Sequence, residues 1–460
     1  MKEKVVLVGA GSAMFTGALL TDIVRRGWEC EVGLVDTDPD ALAVAEGLCR
    51  KLIAATGAPL TVSASTDRRQ VLRDATVVIT TIAVGGRRAW EQDVFIPRKY
   101  GIYQPVGDSV MPGGTSRCLR VIPPMVEIAE DVVELCPEAL FFNYANPMTA
   151  ICRAVRKHVG ANIIGLCSGV WSIGLSLAKE LQVDPADLRY TAVGLNHLTW
   201  FTEVRARGED MMPRLHALAE EHLARQSGPE QYSQPGGLCW QLLKTFGAFP
   251  AVGDGHVLEF FPTLFPNGEY GGQKIGLEWH PFEKIITWGD GIYEQMKEKA
   301  FSKDPLESDY FDEIAGEGEH EQCVDIIESI RTDAGRVFSA NLPNSGQAPN
   351  LPPEAVLEAP TMATAAGMKP LAQPPLPSGV AGTLASRLYW VETVVEAALK
   401  GSRRKFVQAL VLDGWVSSIP MAEQLADELL AAHAKHLPRF AGTARTDTAA
   451  QGRRRRRSPR

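Results

Sequence analysis

The chain has 460 residues and a formal net charge of −8, with 45% hydrophobic and 22% charged residues. At roughly 150 residues per domain, this length predicts two or three domains with a sizeable core. The composition excludes a disordered or collagen-like chain, and the acidic balance argues against nucleic acid or an anionic membrane as the main partner.

The cysteines and the first residues indicate the compartment. Eight cysteines are scattered without a CxxC pair, which is typical of reduced thiols in a cytosolic enzyme. Met1 is followed by Lys-Glu-Lys and then directly by an apolar run, which is unlike a secretory signal peptide. No stretch reaches about 18 uncharged apolar residues, so we expect no membrane span. We therefore predict a cytoplasmic protein.

The first part of the chain alternates short apolar runs with helical patterns, as βαβ units on a parallel sheet do. We predict strands at residues 5–8, 32–35, 60–62, 77–80, 140–143 and 163–166. Six strands suffice for a doubly wound Rossmann sheet. Residues 1–189 are assigned to this domain.

From about residue 190 the pattern changes, with a strand-like run at 199–204 and amphipathic helices around 214–225 and 321–331. It predicts a second, α+β domain over residues 190–440. Between residues 341 and 377 prolines are dense and periodicity is lost, so we interpret this stretch as a long loop with a role in function or at an interface. Helical patterns return at 385–399 and 404–412. Residues 441–460, with an arginine run, are expected to form a flexible basic tail, and binding of nucleic acid or a partner is the alternative.

A glycine turn follows the first predicted strand, and a helix opens near Phe15. Such a turn lets backbone amides approach a pyrophosphate at a helix N-terminus. Asp36 ends the second strand, where its carboxylate can bind the ribose hydroxyls of NAD and would repel the 2′-phosphate of NADP. The candidate cofactor-binding residues are Gly9, Gly11, Ser12, Ala13, Met14, Phe15 and Asp36. The alternative is a nucleotide-free domain in which the glycines only turn the chain, since Met14 stands where a small residue often lies.

Polar motifs follow the fifth and sixth strands and continue beyond the sheet. They are Asn-Tyr-Ala-Asn-Pro-Met from residue 143, Gly-Leu-Cys-Ser from 165, Gly-Leu-Asn-His from 194, Gly-Asp-Gly-His from 253 with Glu-Phe-Phe-Pro from 259, and Asn-Leu-Pro-Asn from 341 with Asn-Leu-Pro from 350. In this order and spacing they resemble glycoside hydrolase family 4 up to about Ser418. The resemblance implies a C-terminal domain like that of lactate and malate dehydrogenases. It also implies NAD and Mn²⁺, or another divalent metal, as cofactors, and a homodimer or homotetramer.

These motifs contain a cysteine and a histidine, whose sulfur and imidazole nitrogen can bind a divalent metal ion. Taken alone, Cys167 and His197 are a weak metal signal, because the cysteine could be a core residue and the histidine a turn residue. The resemblance implies that they hold Mn²⁺ against O2 and O3 of a sugar. Asn146 alone could cap the helix beginning near Pro147. The resemblance makes it a ligand of a substrate hydroxyl, and Asn196 is also predicted to bind substrate.

Asp254 lies between two glycines, where the plain alternative is a solvated turn carboxylate. The resemblance implies that it is the catalytic base, which removes the C2 proton after NAD⁺ has taken hydride from C3. Elimination at C1, addition of water and re-reduction then give net hydrolysis. Arg117 and Arg120 lie one turn apart on the helix that opens near residue 113. Arg117 is the predicted substrate contact, and a helix-surface cation is the alternative.

Ser168 follows Cys167 where family members acting on plain α-glucosides or α-galactosides usually carry histidine and those acting on 6-phosphorylated sugars carry aspartate. The serine argues against a phosphorylated substrate and leaves the proton donor to the leaving group unassigned. We expect hydrolysis of an α-linked, unphosphorylated glycoside, with glucoside, galactoside and uronide left open. Two other interpretations remain, an NAD-dependent 2-hydroxy-acid or sugar dehydrogenase and a catalytically silent NAD-binding sensor.

Overall fold

The computed structural model describes residues 1–12, 15–225, 235–307, 310 and 322–441. Six parallel strands form one half of a mixed sheet. They are β1 Lys2–Val8, β2 Glu29–Val35, β3 Leu60–Ser65, β4 Val77–Thr80, β5 Leu140–Asn143 and β6 Ile163–Gly165. Their spatial order is β3-β2-β1-β4-β5-β6, which is the arrangement of a doubly wound nucleotide-binding sheet. All six predicted strands are present.

Helices cover both faces of this half. They are α1 Phe15–Arg25, α2 Pro39–Thr56, α3 Arg68–Leu72, α4 Gly86–Arg98, α5 Met111–Leu135, α6 Met148–His158 and α7 Gly169–Leu181. Side chains alternate between the faces of a strand, so Val6 of β1 lies in one hydrophobic cluster while Leu7 lies in the other. Because both faces are covered, the inner strands contain continuous apolar runs, as in Val5–Val8 of β1 and Val77–Ile79 of β4.

The second half of the described chain mixes helices with antiparallel strands. Its strands are β7 Leu188–Leu195, β8 Leu198–Ala206, β9 Glu209–Asp210, β10 Phe249–Pro250, β11 Glu269–Tyr270, β12 Gln273–Lys274, β13 Arg336–Pro343, β14 Val356–Thr364 and β15 Gly367–Pro370. Its helices are α8 Met212–Ala224, α9 Gly237–Phe246, α10 Asp254–Leu258, α11 Phe282–Phe301, α12 Gln322–Thr332, α13 Ser378–Lys400, α14 Arg403–Asp413 and α15 Ile419–Ala432. This confirms the predicted fold class, a Rossmann sheet followed by an α+β part.

The interpretation of residues 341–377 as a loop is wrong, because β14, β15 and the end of β13 lie there. The hairpin β13–β14 joins the two halves of the sheet: Asn341 pairs with Gly165 of β6, and Glu358 pairs with Gly194 of β7. A buried strand shows no alternation of apolar and polar residues, and Pro360 within β14 favoured a loop.

The remaining predictions for the second half are met closely. The run at 199–204 lies in β8, and the helices predicted around 214–225, 385–399 and 404–412 correspond to α8, α13 and α14. The helix predicted at 321–331 corresponds to α12, although Glu321 lies outside the described residues. The predicted tail lies outside them apart from Ala441. All eight cysteines are free. Across the described ranges no helix combines the length and apolarity needed to cross a bilayer.

Candidate functional site

The glycine turn after β1 is held against the end of β2. Gly9 N and Ala10 N both donate to Val35 O, at 2.8 and 2.9 Å. Gly9 has φ 96°, and a Cβ there would lie 2.9 Å from Ile82 N. The position therefore admits only glycine, and the chain can approach a ligand closely.

Asp36 closes the same turn. Its Oδ2 accepts from Gly11 N at 2.9 Å and its Oδ1 accepts from Asp38 N at 3.0 Å. The N-terminus of α1 follows, where Phe15 N donates to Ser12 Oγ at 3.3 Å. A glycine turn, a helix N-terminus and a half-buried carboxylate at the carboxyl edge of a parallel sheet fit a dinucleotide. Ala13 and Met14, also predicted to bind the cofactor, lie outside the described residues.

A cluster of three side chains lies beside this edge of the sheet. The ligand atoms of Asp108, His197 and His256 all lie within 4.8 Å of one another. Asp108 precedes α5, His197 occupies the tight turn between β7 and β8 with φ 64°, and His256 lies in α10. The two imidazole rings lie with their centroids 3.9 Å apart.

Burial sets the charge of this cluster. It lowers the pKa of His197, and burial together with the neighbouring His197 lowers the pKa of His256 well below its ordinary value. Burial alone would raise the pKa of Asp108, but His197, Arg117 and His256 outweigh it, so that this pKa is lowered. The cluster thus combines a carboxyl group of lowered pKa with two imidazoles of lowered pKa, a donor set that suits a borderline divalent cation such as Mn²⁺.

Ser109 links two members of the cluster. Its hydroxyl donates to Asp108 Oδ1 at 2.8 Å, and its Oγ lies 3.1 Å from His197 Nδ1. Because the serine proton points to Asp108, Nδ1 of His197 carries the proton of the second hydrogen bond. Nε2 then keeps its lone pair for a metal ion.

Two of the predicted substrate-binding residues lie against the cluster. Asn146 Nδ2 donates to Asp108 Oδ2 at 2.9 Å, and Arg117 Nε donates to Asn146 O at 3.1 Å. Asn146 Oδ1 is buried and has no hydrogen-bond partner among the described residues, so it is an acceptor ready for a ligand hydroxyl. Arg120 is not a surface cation, because its guanidinium forms a buried ion pair with Asp93.

Asn196 is the third predicted substrate residue and directly precedes His197. Its Nδ2 donates to Glu358 Oε2 at 3.4 Å, and Thr199 Oγ1 donates to the same oxygen at 3.0 Å. This fixes the amide so that Oδ1 is left buried without a partner in the described part of the chain. Burial raises the pKa of Glu358 to about 7.

Cys167 lies two residues beyond β6 and is half-buried. Gly169 N donates weakly to its Sγ at 3.4 Å. The thiol is not a member of the close group formed by Asp108, His197 and His256. Its role as a metal ligand therefore stays a prediction, as does the effect of Ser168, which is the N-cap residue of α7.

Asp254 is fully buried, and its carboxylate holds the start of α9. Oδ1 accepts from Gly236 N at 2.9 Å and Cys239 N at 3.0 Å, whereas Oδ2 accepts from Leu238 N at 3.1 Å and from the Tyr270 hydroxyl. These are amides of a helix N-terminus, which need acceptors from outside the helix. A general base needs a lone pair facing its substrate. The role of Asp254 as base stays a prediction beside this capping role.

Sequence reasoning assigned a ligand role to neither Asp108 nor His256. Both carried a signal, since Asp108 follows Gly107 in the loop between α4 and α5, and His256 follows Asp254 by two residues. Glu259 begins the motif Glu-Phe-Phe-Pro, which follows His256 along the chain. It is fully buried, and its Oε1 accepts from Val106 N and Gly107 N, in the loop that carries Asp108.

Comparison with known proteins places these features in context. Residues 4–183 match the family 4 glycosyl hydrolases, and residues 192–416 match the C-terminal domain of family 4 glycosyl hydrolases. An α-glucosidase of Erwinia rhapontici is 33% identical over 449 residues, which cover 94% of this chain and 98% of the relative. An α-galactosidase of Rhizobium meliloti (strain 1021) is 32% identical over 95% of this chain and 90% of its own.

Solved structures share the fold. A 6-phospho-α-glucosidase from gut microorganisms, in complex with NAD and Mn²⁺, is 20% identical with a TM-score of 0.80, covering 95% of this chain and 99% of its own. The malate dehydrogenase of Cryptosporidium parvum is 14% identical with a TM-score of 0.51, covering 87% of this chain and 99% of its own. The expected likeness of the C-terminal part to dehydrogenases of this type is thus confirmed at the level of fold.

Proposed function

The chain belongs to glycosyl hydrolase family 4, and we propose that it hydrolyses an α-linked, unphosphorylated glycoside with NAD and a divalent metal such as Mn²⁺ as cofactors. The relatives named α-glucosidase and α-galactosidase support the linkage and the unphosphorylated sugar. The structural neighbour in complex with NAD and Mn²⁺ supports the cofactors. The observation that carries the proposal is the cluster of Asp108, His197 and His256 at the nucleotide-binding edge of the sheet.

The cofactors fit the residues that the structure places there. When bound, NAD⁺ supplies a reversible hydride acceptor and the metal supplies a Lewis acid for neighbouring sugar oxygens. The turn from Gly9 to Ser12 would hold the pyrophosphate with backbone amides, and Asp36 would select NAD over NADP. His197 would bind the metal through Nε2, with Asp108 and His256 beside it and Cys167 as the further predicted ligand.

The protein's own groups would orient the sugar. The unpartnered oxygens of Asn146 and Asn196 are hydrogen-bond acceptors, so they suit sugar hydroxyls and not the oxygens of a phosphate. Arg117 lies next to Asn146 and would donate to a ring or hydroxyl oxygen. Asp254 is the proposed base for the C2 proton.

We also propose a cytoplasmic homodimer or homotetramer. The resemblance to the family is what implies this assembly, and large apolar side chains are exposed at Tyr389 (65%), Ile419 (64%) and Phe301 (60%). Light scattering after gel filtration tests the assembly. Masses of two or four chains are expected, and a single-chain mass at micromolar concentration overturns it.

The proposed activity is tested with p-nitrophenyl α- and β-glycosides, uronides and 6-phosphates, with NAD⁺ and Mn²⁺ supplied or withheld under reducing conditions. We expect nitrophenol release from an unphosphorylated α-glycoside only when both cofactors are present, without lasting NADH absorbance. Accumulating NADH with no nitrophenol release would instead indicate a dehydrogenase. Tight NAD binding without turnover of any glycoside would indicate a sensor.

The metal site is tested by calorimetric titration with Mn²⁺ in the absence of substrate. Asp108→Asn, His197→Asn and His256→Asn are each expected to weaken Mn²⁺ binding at least tenfold, because each removes or weakens one ligand. Cys167→Ser is measured in the same series to test the thiol. Asp187→Asn is the matched control, since Asp187 is exposed and pairs with Arg207. Unchanged affinity in the first three variants would remove the cluster from the metal site.

A further inference from the structure

The turn that carries Asp108 has a left-handed backbone at both ends, and at the second end the residue is not glycine. We call residues 107–111 the Asp108 turn; it contains Asp108 and Ser109 and ends where α5 begins. Gly107 has φ 59° and Met111 has φ 61°. A residue other than glycine is uncommon in this region and remains there only when its surroundings determine it. Something outside the turn must therefore fix its backbone.

Glu259 holds the first end of the turn. It directly follows α10 and is fully buried. Its Oε1 accepts from Gly107 N at 2.7 Å and from Val106 N at 3.2 Å. These two amides belong to consecutive residues at the left-handed Gly107, so one carboxyl oxygen of Glu259 fixes the backbone on both.

Asp413 holds the other end of the turn. It is the last residue of α14 and is 1% exposed. Its Oδ1 accepts from Met111 N at 3.1 Å, at the left-handed residue itself, and from Arg387 Nη1 at 2.7 Å. Arg387 Nη2 in turn donates to Phe260 O at 3.1 Å, next to Glu259. The Arg387–Asp413 pair is thus anchored to the backbone of the residue that follows Glu259.

Close packing against α5 restricts the turn in addition to these hydrogen bonds. A Cβ on Gly113 would lie 2.6 Å from Gly107 O, and one on Gly114 would lie 2.4 Å from the carbonyl carbon of Ser109. The turn is therefore pressed against the first turn of α5, and a shift of its backbone would move the Asp108 carboxylate away from His197 and His256.

We infer that Glu259 and Asp413 are positioning residues of the metal site, which fix the two ends of the Asp108 turn and so place the Asp108 carboxylate against His197 and His256. Neither carboxyl group needs to touch substrate, cofactor or metal for this role. The inference rests on the proposed function in one respect, namely that Asp108 helps to hold the metal.

The experiment compares Glu259→Leu with Glu259→Gln in the full-length protein by titration with Mn²⁺ alone. The leucine removes the acceptor, and changes in groups that orient metal ligands weaken metal binding about 10–100-fold. Glutamine keeps a carbonyl oxygen that can accept from both amides, so near-normal affinity is expected. Glu203→Leu, an exposed residue of β8, is the matched control. NAD⁺ affinity is measured in parallel and should stay unchanged, since the nucleotide turn is held by other residues.

Hydrogen exchange gives a second readout that does not depend on metal. The amides of Val106 and Gly107 should exchange faster in Glu259→Leu than in the wild type, and that of Met111 faster in Asp413→Ala. If Glu259→Leu does not fold, Glu259→Asp is used, because its shorter side chain withdraws the acceptor and should weaken Mn²⁺ binding in the same direction.

The outcomes separate the two proposals. Unchanged Mn²⁺ affinity in Asp108→Asn overturns the proposed metal site and this inference with it. Weakened affinity in Asp108→Asn but unchanged affinity in Glu259→Leu or Glu259→Asp overturns the positioning role alone. Loss of activity in Glu259→Gln with normal Mn²⁺ affinity and normal amide exchange also overturns it, because such a result requires Glu259 to act on the substrate directly.

Discussion

Replacing Asp254 by asparagine tests whether this carboxylate holds the start of α9. The asparagine side chain retains Oδ1, which can still accept from Gly236 N and Cys239 N. The new amide nitrogen takes the place of Oδ2, where it faces the Leu238 N–H and the Tyr270 O–H, which both donate to Oδ2 in the wild type. The Leu238 N–H and the Tyr270 O–H would then face an N–H group, which cannot accept a hydrogen bond from either.

The size of the effect follows from this geometry. Leu238 N also lies 3.1 Å from Tyr270 Oη, and the tyrosine hydroxyl can turn to accept from the new amide. The net loss is therefore one buried hydrogen bond to a carboxylate. Leaving a buried donor unsatisfied costs about 1–3 kcal/mol, so the free energy of unfolding should fall by about that amount. Tyr270→Phe removes one such bond by another route and should destabilise by about 1.5–3 kcal/mol.

Urea unfolding followed by tryptophan fluorescence, without added cofactors and at one pH, measures both variants. Asp187→Asn is the control for loss of an exposed carboxylate and should stay within about 0.5 kcal/mol of the wild type. Equal stability of Asp254→Asn and the wild type would refute the capping role. Destabilisation of both Asp254→Asn and Tyr270→Phe would support it.

The same two variants also test the predicted role of Asp254 as the catalytic base. If the carboxylate removes the C2 proton, folded Asp254→Asn should lose exchange of that proton with deuterated solvent, while folded Tyr270→Phe retains it. Exchange that persists in Asp254→Asn, with NAD⁺ and Mn²⁺ present, would leave the residue only its structural role.

Two further predictions concern buried ionisable groups that are not proposed to bind the metal. Burial raises the pKa of Glu358 to about 7, above the ordinary value near 4.3 that applies in the unfolded chain. Between about pH 4.3 and about pH 7 Glu358 is therefore protonated in the folded state and ionised in the unfolded state. The free energy of unfolding of the wild type, relative to that of Glu358→Gln, should fall by about 1.4 kcal/mol per pH unit as pH rises through this range. Urea titrations across that range measure the difference, and a constant difference would contradict the reasoning. Arg120→Met should destabilise by about 3–5 kcal/mol, because it leaves Asp93, bound at 2.9 and 2.5 Å, buried without the guanidinium. Recovery of stability in the double variant with Asp93→Asn supports the charge explanation, and a loss under 1 kcal/mol in Arg120→Met contradicts it.

The parts of the fold that sequence reasoning predicted depend on local patterns. The parallel strands are short apolar runs, and Gly9, Gly11 and Asp36 lie in elements that are adjacent along the chain, so their meeting follows from the order of strands. The strand β14 was missed because it is buried on both faces and contains Pro360. Its position between β13 and β7 depends on pairing across more than 150 residues of chain.

The candidate site was predicted in part for the same reason. His197 and Asn146 were named from their motifs, and the structure brings both to Asp108. The grouping with His256 needs three distant segments to meet, and no periodicity or spacing encodes this. The environment of Asp254 was equally hidden, since its partners at residues 236–239 and at Tyr270 lie before and after it along the chain.

The hairpin β13–β14 has a consequence for attempts to divide the protein. The open side of β6 is covered by residues 336–343, which come from far beyond the boundary that we propose at residue 189. A fragment containing only the nucleotide-binding strands would expose that backbone edge and invite pairing with a second fragment. Its recombinant production should give aggregates unless the later hairpin is supplied, whereas a circular permutant that keeps the hairpin beside β6 should stay in solution. We therefore expect a soluble nucleotide-binding fragment of this protein to need the hairpin in addition to residues 1–189.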